Sequence, residues 1–175
     1  MANGFTSFLD VAKKGCCTSC GLCFCAAETG IRNGQPVPIT KKEGCEFDLF
    51  LCPGKGYDLS EPARQKTHSS FLLGGWESFY AVRTEKPEVL KNAASGGIMT
   101  SIALKMLESG LADKIISTRI ICKDGKIQTD TFATSNPEEL FSSQGSKYMP
   151  IPTLARLNEI IESGKKYVYI GTPCP

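Results

Sequence analysis

Three cysteines near the start of the chain, Cys17, Cys20 and Cys23, stand in a C-x2-C-x2-C run, with Gly21 directly after the second. A loop that winds around a cubane presents a thiolate about every third residue, and this is the opening of a bacterial-ferredoxin cluster run. A glycine in such a loop allows backbone conformations that a side chain would block, and peptide N–H groups then point at the sulfurs. Seven of the nine cysteines fall in the first 52 residues. The opening MANGFTSFLDVAKKG has no basic start followed by a long apolar stretch, so no signal peptide is read and a cytoplasmic protein is expected. Thiols stay reduced there, and a dense cysteine cluster binds metal rather than pairing as disulfides.

The ferredoxin run normally continues with x3-C-P, but that place is held by Ala27 and Glu28. The fourth ligand must come from elsewhere. Cys52-Pro53 reproduces the Cys-Pro ending after a long insertion and ranks first, with Cys45 second and Cys25 third. Cys16 would shift the register to the poorer C-x3-C-x2-C. The expected metal ligands are therefore Cys17, Cys20, Cys23 and Cys52. The rival is a structural zinc site, which sets C-x2-C pairs apart. A third cysteine three residues after the second argues against it. Cys122 lies in a strand context and reads as a small core residue.

At 175 residues the chain fits one domain, or one with a small appendage. A net charge of +2 gives no argument for nucleic acid or an anionic membrane, and no apolar run approaches the ~20 residues of a bilayer span. Residues 1–57 read as a cysteine-rich cluster region. They open with an amphipathic helix over 1–15, with Phe5, Phe8, Leu9 and Ala12 on one face, and continue as loop. Residues 58–75 read as a polar connector holding His68, the single histidine, to which no catalytic role is assigned. From Trp76, read as a core residue, to position 175 helices and strands alternate. Phe79–Val82 reads as a short strand. Ile98 to about Ser109 reads as a helix with Ile98, Ile102, Leu104 and Leu107 on its apolar side and Gly110 ending it. Lys114–Ile121 and Ile127–Ala133 read as strands joined at Asp124-Gly125. Pro137–Phe141 is a short helix, Pro152–Ser163 a longer one, and Lys166–Ile170 a buried strand. The predicted class is α/β (α+β): a small cysteine-rich iron–sulfur region, then an incomplete mixed α/β sheet domain. The last strand runs straight into Gly171-Thr172-Pro173-Cys174-Pro175, without neighbours to cover it, so the fold is expected to be truncated: either a second chain supplies the rest or the chain is a broken or partial gene product.

Three glycine-bearing loops punctuate this second region. Ser95-Gly96-Gly97 precedes a helix, where free N–H groups and the helix dipole attract phosphate; a plain serine cap is the simpler alternative. Ser143-Gln144-Gly145-Ser146-Lys147-Tyr148 offers a glycine, two hydroxyls, a cation and an aromatic ring, a set that suits a phosphate and a planar ring and is also common loop composition. Thr172 follows a strand end, where open α/β sheets bind ligands. Lys41-Lys42 and Lys165-Lys166 read as solvated faces or as a docking surface for an acidic ferredoxin.

Taken in order, C-T-S-C-G-L-C from Cys17, C-P-G-K-G from Cys52, A-A-S-G-G-I from Ala93, Q-G-S-K-Y from Gln144 and I-G-T-P-C from Ile170 resemble the coenzyme F420 hydrogenase/dehydrogenase beta-subunit family. That resemblance implies FAD, held by Ser95, Gly96, Gly97, Gly145, Ser146, Lys147, Tyr148 and Thr172, and at least one [4Fe-4S] cluster. It implies electron exchange between a reduced carrier (the deazaflavin coenzyme or a ferredoxin) and an iron–sulfur partner subunit. Cys174 has a family counterpart beside the redox centres. Two departures stand out: Pro175 replaces a usual glutamine, and the family continues well past this motif. No catalytic residue is named. The rival readings are a non-catalytic iron–sulfur electron-transfer module, an inactive fragment, and a zinc-stabilised binding protein.

Overall fold

The computed structural model describes residues 4–56, 68–70, 72 and 74–172. Residues 1–3 of the expected first helix, most of the 58–75 connector, the His68 side chain and the Pro173-Cys174-Pro175 ending lie outside the described residues.

Helix α1 spans Phe8–Lys13, shorter than the expected 1–15. Ser7 caps it by accepting from the Asp10 N–H at 3.2 Å, and Asp10 and Lys13 match the helix dipole at its two ends. It buries Phe8, Val11 and Ala12. Phe8 meets Phe47 edge to face, with centroids 5.6 Å apart, and Phe8, Cys23 and Ala27 form the small core of the cysteine-rich part. Residues 16–57 are not all loop. Strands β1 (Ala27–Arg32) and β2 (Gln35–Lys41) form an antiparallel hairpin. Its Asn33-Gly34 turn has both φ values positive, 51° and 76°, the condition a two-residue hairpin turn imposes. Arg32 Nη1 ties the hairpin to α1 by donating to the Ala12 carbonyl at 2.8 Å. Two short strands follow, β3 (His68–Ser70) and β4 (Gly74–Trp76), paired antiparallel inside the expected connector. Trp76 is half-buried, its ring 5.7 Å from Phe79.

The second part is a three-stranded mixed sheet in the order β6-β5-β7. β5 (Lys114–Lys123) and β6 (Lys126–Thr134) pair antiparallel around Asp124-Gly125, where φ is 53° and 70°. β7 (Tyr167–Tyr169) joins β5 in parallel, Ile116 opposite Tyr169. Helices α2 (Pro87–Leu90), α3 (Ile98–Glu108) and α4 (Pro137–Phe141) cover the sheet. Their core is Val89, Ala103, Leu104, Ile115 and Leu140, all nearly solvent-free. Cysteine-rich start and mixed helix–sheet remainder together make the α/β class.

Five local expectations need correction. Phe79–Val82 is not a strand: it pairs with no strand among the described residues, and Phe79, Tyr80 and Val82 stay exposed. The apolar side of α3 is narrower than expected, because Ile102 faces solvent while Ala103 and Leu104 are buried. The helix expected over Pro152–Ser163 shrinks to one turn, α5 (Leu157–Ile160). The Leu154 N–H is used elsewhere, donating to the Cys20 carbonyl at 2.8 Å. β7 is half-buried, because it lies at one side of the described sheet. Cys122, too, is exposed and not core, since β5 runs beyond the helices before it turns.

Candidate functional site

The cysteine loop owes its path to two residues of positive φ, Ser19 at 57° and Gly21 at 86°. Cys20 and Cys23 are buried, and Cys17 and Cys52 are half-buried. Cys16 and Cys25 are exposed, and Cys45 is half-buried. The distal Cys52 reaches this loop because Cys52-Pro53-Gly54 packs against the end of α1. A Cβ at Gly54 would collide with the Cys16 carbonyl oxygen and lie 2.7 Å from Val11 Cγ1. Glycine is therefore required there for the close approach, a constraint that the C-P-G sequence carries without announcing its partner.

Burial pushes the Cys23 thiol up to about 12, reinforced by the charges of Cys17, Cys20 and Cys52. Burial also raises Cys52, while hydrogen bonds from the Gly54 and Lys55 N–H groups work in the opposite direction and Cys20 and Cys17 add to the rise. The four sulfurs thus share one electrostatic neighbourhood. Ser19 N–H donates to Cys17 Sγ at 3.4 Å. Among the described residues, no three His, Cys, Asp or Glu side chains converge closely enough to hold a single metal ion. A tetrahedral zinc site with Zn–S bonds of about 2.3 Å puts its thiolates within about 4 Å of one another. A cubane spreads its ligands over a wider cage and draws hydrogen bonds to the sulfurs. Four thiols, two of them buried, with backbone donors already aimed at Cys17 and Cys52, fit such a cluster.

Next to this loop lies a cavity of about 880 Å³, large for a small-molecule site. Three loops build it. The start of α3 contributes Ser95, Gly96 and Gly97; the loop after α4 contributes Gly145, Ser146, Lys147 and Tyr148; the end of β7 contributes Gly171 and Thr172. All eight residues expected from the sequence line this one space. Thr18, between Cys17 and Cys20, lines it as well. Residues the sequence reading passed over are Thr18, Tyr80, Val82, Thr153 and Tyr169, also in the wall. No spacing rule marks them, since each arrives from a different stretch of chain.

The glycines at α3 serve packing first. A Cβ at Gly96 would lie 2.8 Å from the Val82 carbonyl oxygen, and Gly96 O accepts from Thr84 N–H at 2.8 Å. Gly97 caps the helix at φ 72° and makes no side-chain cap hydrogen bond to its first turn. Lys147 does not extend into the space: its ammonium folds back onto the Ser143 and Gly145 carbonyls. Burial holds its pKa below the ordinary lysine range. Tyr148 is 96 % exposed at the rim.

The two sites are physically joined. Besides the Leu154–Cys20 bond, Gly21 sits so tightly on Pro152–Ala155 that a Cβ there would lie 2.8 Å from Ala155 Cβ and 2.9 Å from Pro152 Cβ. No described helix is long and apolar enough to cross a membrane.

Residues 79–158 match the family described as coenzyme F420 hydrogenase/dehydrogenase, beta subunit N-term. The coenzyme F420 hydrogenase subunit beta of Methanococcus voltae is 30% identical over 104 residues, 58% of this chain and 36% of that protein. An uncharacterised protein of Methanocaldococcus jannaschii is 30% identical over 138 residues, covering 75% of this chain and 37% of its own. An uncharacterised protein of Nostoc sp. is 25% identical over 167 residues, 92% of this chain and 38% of that one. The chain spans little more than a third of the length of the curated relatives it matches.

Proposed function

The chain belongs to the coenzyme F420 hydrogenase/dehydrogenase beta-subunit family, and from that premise we propose that it is a cytoplasmic oxidoreductase module holding FAD beside a [4Fe-4S] cluster. It passes electrons between a reduced carrier, the deazaflavin coenzyme or a ferredoxin, and another iron–sulfur subunit. The observation that carries this reading is the shared wall: the cavity lined by the eight glycine-loop residues is also lined by Thr18, inside the cysteine loop. With the deazaflavin as carrier, a two-electron donor would face a one-electron cluster, and a flavin held at that junction by the glycine loops would supply the exchange between hydride and single-electron transfer.

The roles of this chain's residues follow from their places. Cys17, Cys20, Cys23 and Cys52 hold the cluster. The N–H groups aimed at Cys17 and Cys52 stabilise thiolate charge, and the burial of Cys20 and Cys23 keeps water off the sulfurs. The first turn of α3, with the Ser95 and Ser146 hydroxyls, receives the flavin phosphates. Lys147 adds positive charge to that wall while bracing its own loop. Tyr148 offers its exposed ring to a planar group. A reducing compartment suits the free thiols.

The test is anaerobic reconstitution with iron, sulfide and FAD. About four irons per chain, the count of one cubane, and bound flavin are expected, followed by cluster reduction when reduced deazaflavin or reduced ferredoxin is added. Iron without flavin leaves only an iron–sulfur electron-transfer module. A colourless protein with bound zinc defeats the proposal outright.

A further inference from the structure

Tyr169 connects the cavity to the cysteine loop from the far side of the wall. It is the half-buried last residue of β7, and its hydroxyl donates to Thr153 Oγ1 at 2.8 Å. Thr153 belongs to Pro152–Ala155, the segment that docks on Cys20 and Gly21. Behind the ring stands Gly171, where a Cβ would lie 2.7 Å from the Tyr169 Cζ and Oη. Tyr169 and Thr153 both line the cavity. The chain of contacts therefore runs without a gap from a cluster cysteine, through one backbone and one side-chain hydrogen bond, to the surface a cavity ligand touches.

We propose that Tyr169 is a positioning residue that couples the two sites: by holding Thr153 it keeps Pro152–Ala155 seated on Cys20-Gly21, so that filling the cysteine site and filling the cavity strengthen each other. The inference rests on reading the cavity as a flavin site and the cysteines as a cluster site. A cluster orders the loop that carries Cys20. The Leu154–Cys20 bond passes that order to Pro152–Ala155, and the Thr153–Tyr169 bond passes it to the wall. A ligand entering the cavity then has less disorder to remove. Such coupling is reciprocal by thermodynamic necessity. With one side-chain hydrogen bond as the link, its size is about fivefold in affinity, the worth of an ordinary net hydrogen bond.

The experiment uses the full chain under anaerobic conditions with FAD as the probe. Two quantities are read: the rate of iron loss to a chelator with and without saturating FAD, and the FAD dissociation constant with and without the cluster. In the unaltered protein FAD slows iron loss, and the cluster tightens FAD by about fivefold. Tyr169→Phe, which removes only the hydroxyl, still holds iron and FAD, but the mutual effect falls to near unity. Thr153→Val does the same, whereas Thr153→Ser keeps the acceptor and the coupling. An unchanged mutual effect in Tyr169→Phe and Thr153→Val overturns the assignment, as does independent binding in the unaltered protein. Failure of the unaltered protein to hold either iron or FAD overturns the underlying reading together with this one.

Discussion

Replacing Gly21 with alanine tests the docking of the cysteine loop on the α/β part at its tightest point. Gly21 has φ +86°, where an L side chain is destabilised by about 1–2 kcal/mol. The new Cβ would also stand 2.8 Å from Ala155 Cβ, 2.9 Å from Ala155 N and 2.9 Å from Pro152 Cβ. Two of these three atoms belong to the backbone or to a proline ring, which cannot swing aside. Overpacking of this kind costs about 1–3 kcal/mol, so the total is about 2–5 kcal/mol. The molecule can escape part of that by undocking, which breaks the Leu154–Cys20 hydrogen bond. Urea unfolding of the reconstituted protein and hydrogen exchange at the Leu154 amide, read by mass spectrometry, capture both routes. Gly21→Ala should lower stability, release the Leu154 amide to exchange, or both. Adding Ala155→Gly removes one of the three contacts and should restore part of the loss. Stability within about 0.5 kcal/mol of the unaltered protein, with Leu154 still protected, would refute the described docking.

Three further outcomes are expected. Cys52→Ser should cut iron from about four per chain to below about one, while Cys45→Ser leaves it near four; the reverse result would move the fourth ligand. Ser95→Asp places a carboxylate at the start of α3, where it favours the helix but opposes a phosphate, so FAD affinity measured by fluorescence should fall at least about tenfold with no loss in the melting temperature; unchanged affinity would remove the phosphates from this loop. In the metal-free protein, Cys23 is raised from 9.0 to about 12 and Cys52 is also raised, so the folded state keeps thiol protons that the unfolded chain releases. Stability should therefore hold up to the ordinary thiol range and decline as pH rises from there through the raised values, a trend that urea midpoints at rising pH would check.

Much of the local structure was legible because its cause is local. Asp124-Gly125 and Asn33-Gly34 both supply the two positive φ values of a tight hairpin, but only the first is flanked by clear strand patterns, since the second lies in a cysteine-, glycine- and proline-rich stretch with little periodicity. Pro137–Phe141 folds as its proline at the first helical position dictates. The helix expected at Pro152–Ser163 failed for a reason no window of sequence contains: the Leu154 N–H is engaged by Cys20, more than a hundred residues away in the chain.

For the site, the C-x2-C-x2-C spacing by itself determined that three thiols sit on one loop, because peptide geometry alone brings residues three apart within reach of one centre. The glycines at 96–97 and 145 likewise announced close backbone turns. Only the tertiary structure decided that Cys52 comes to the loop, since that depends on Gly54 fitting against Cys16 and Val11. It alone decided that three distant loops enclose one cavity and that Thr18, Thr153 and Tyr169 join the wall between cavity and cysteines. Spacing along the chain fixes what neighbours can do together; which strangers become neighbours is settled by packing, where a missing Cβ or a diverted N–H outweighs any local preference.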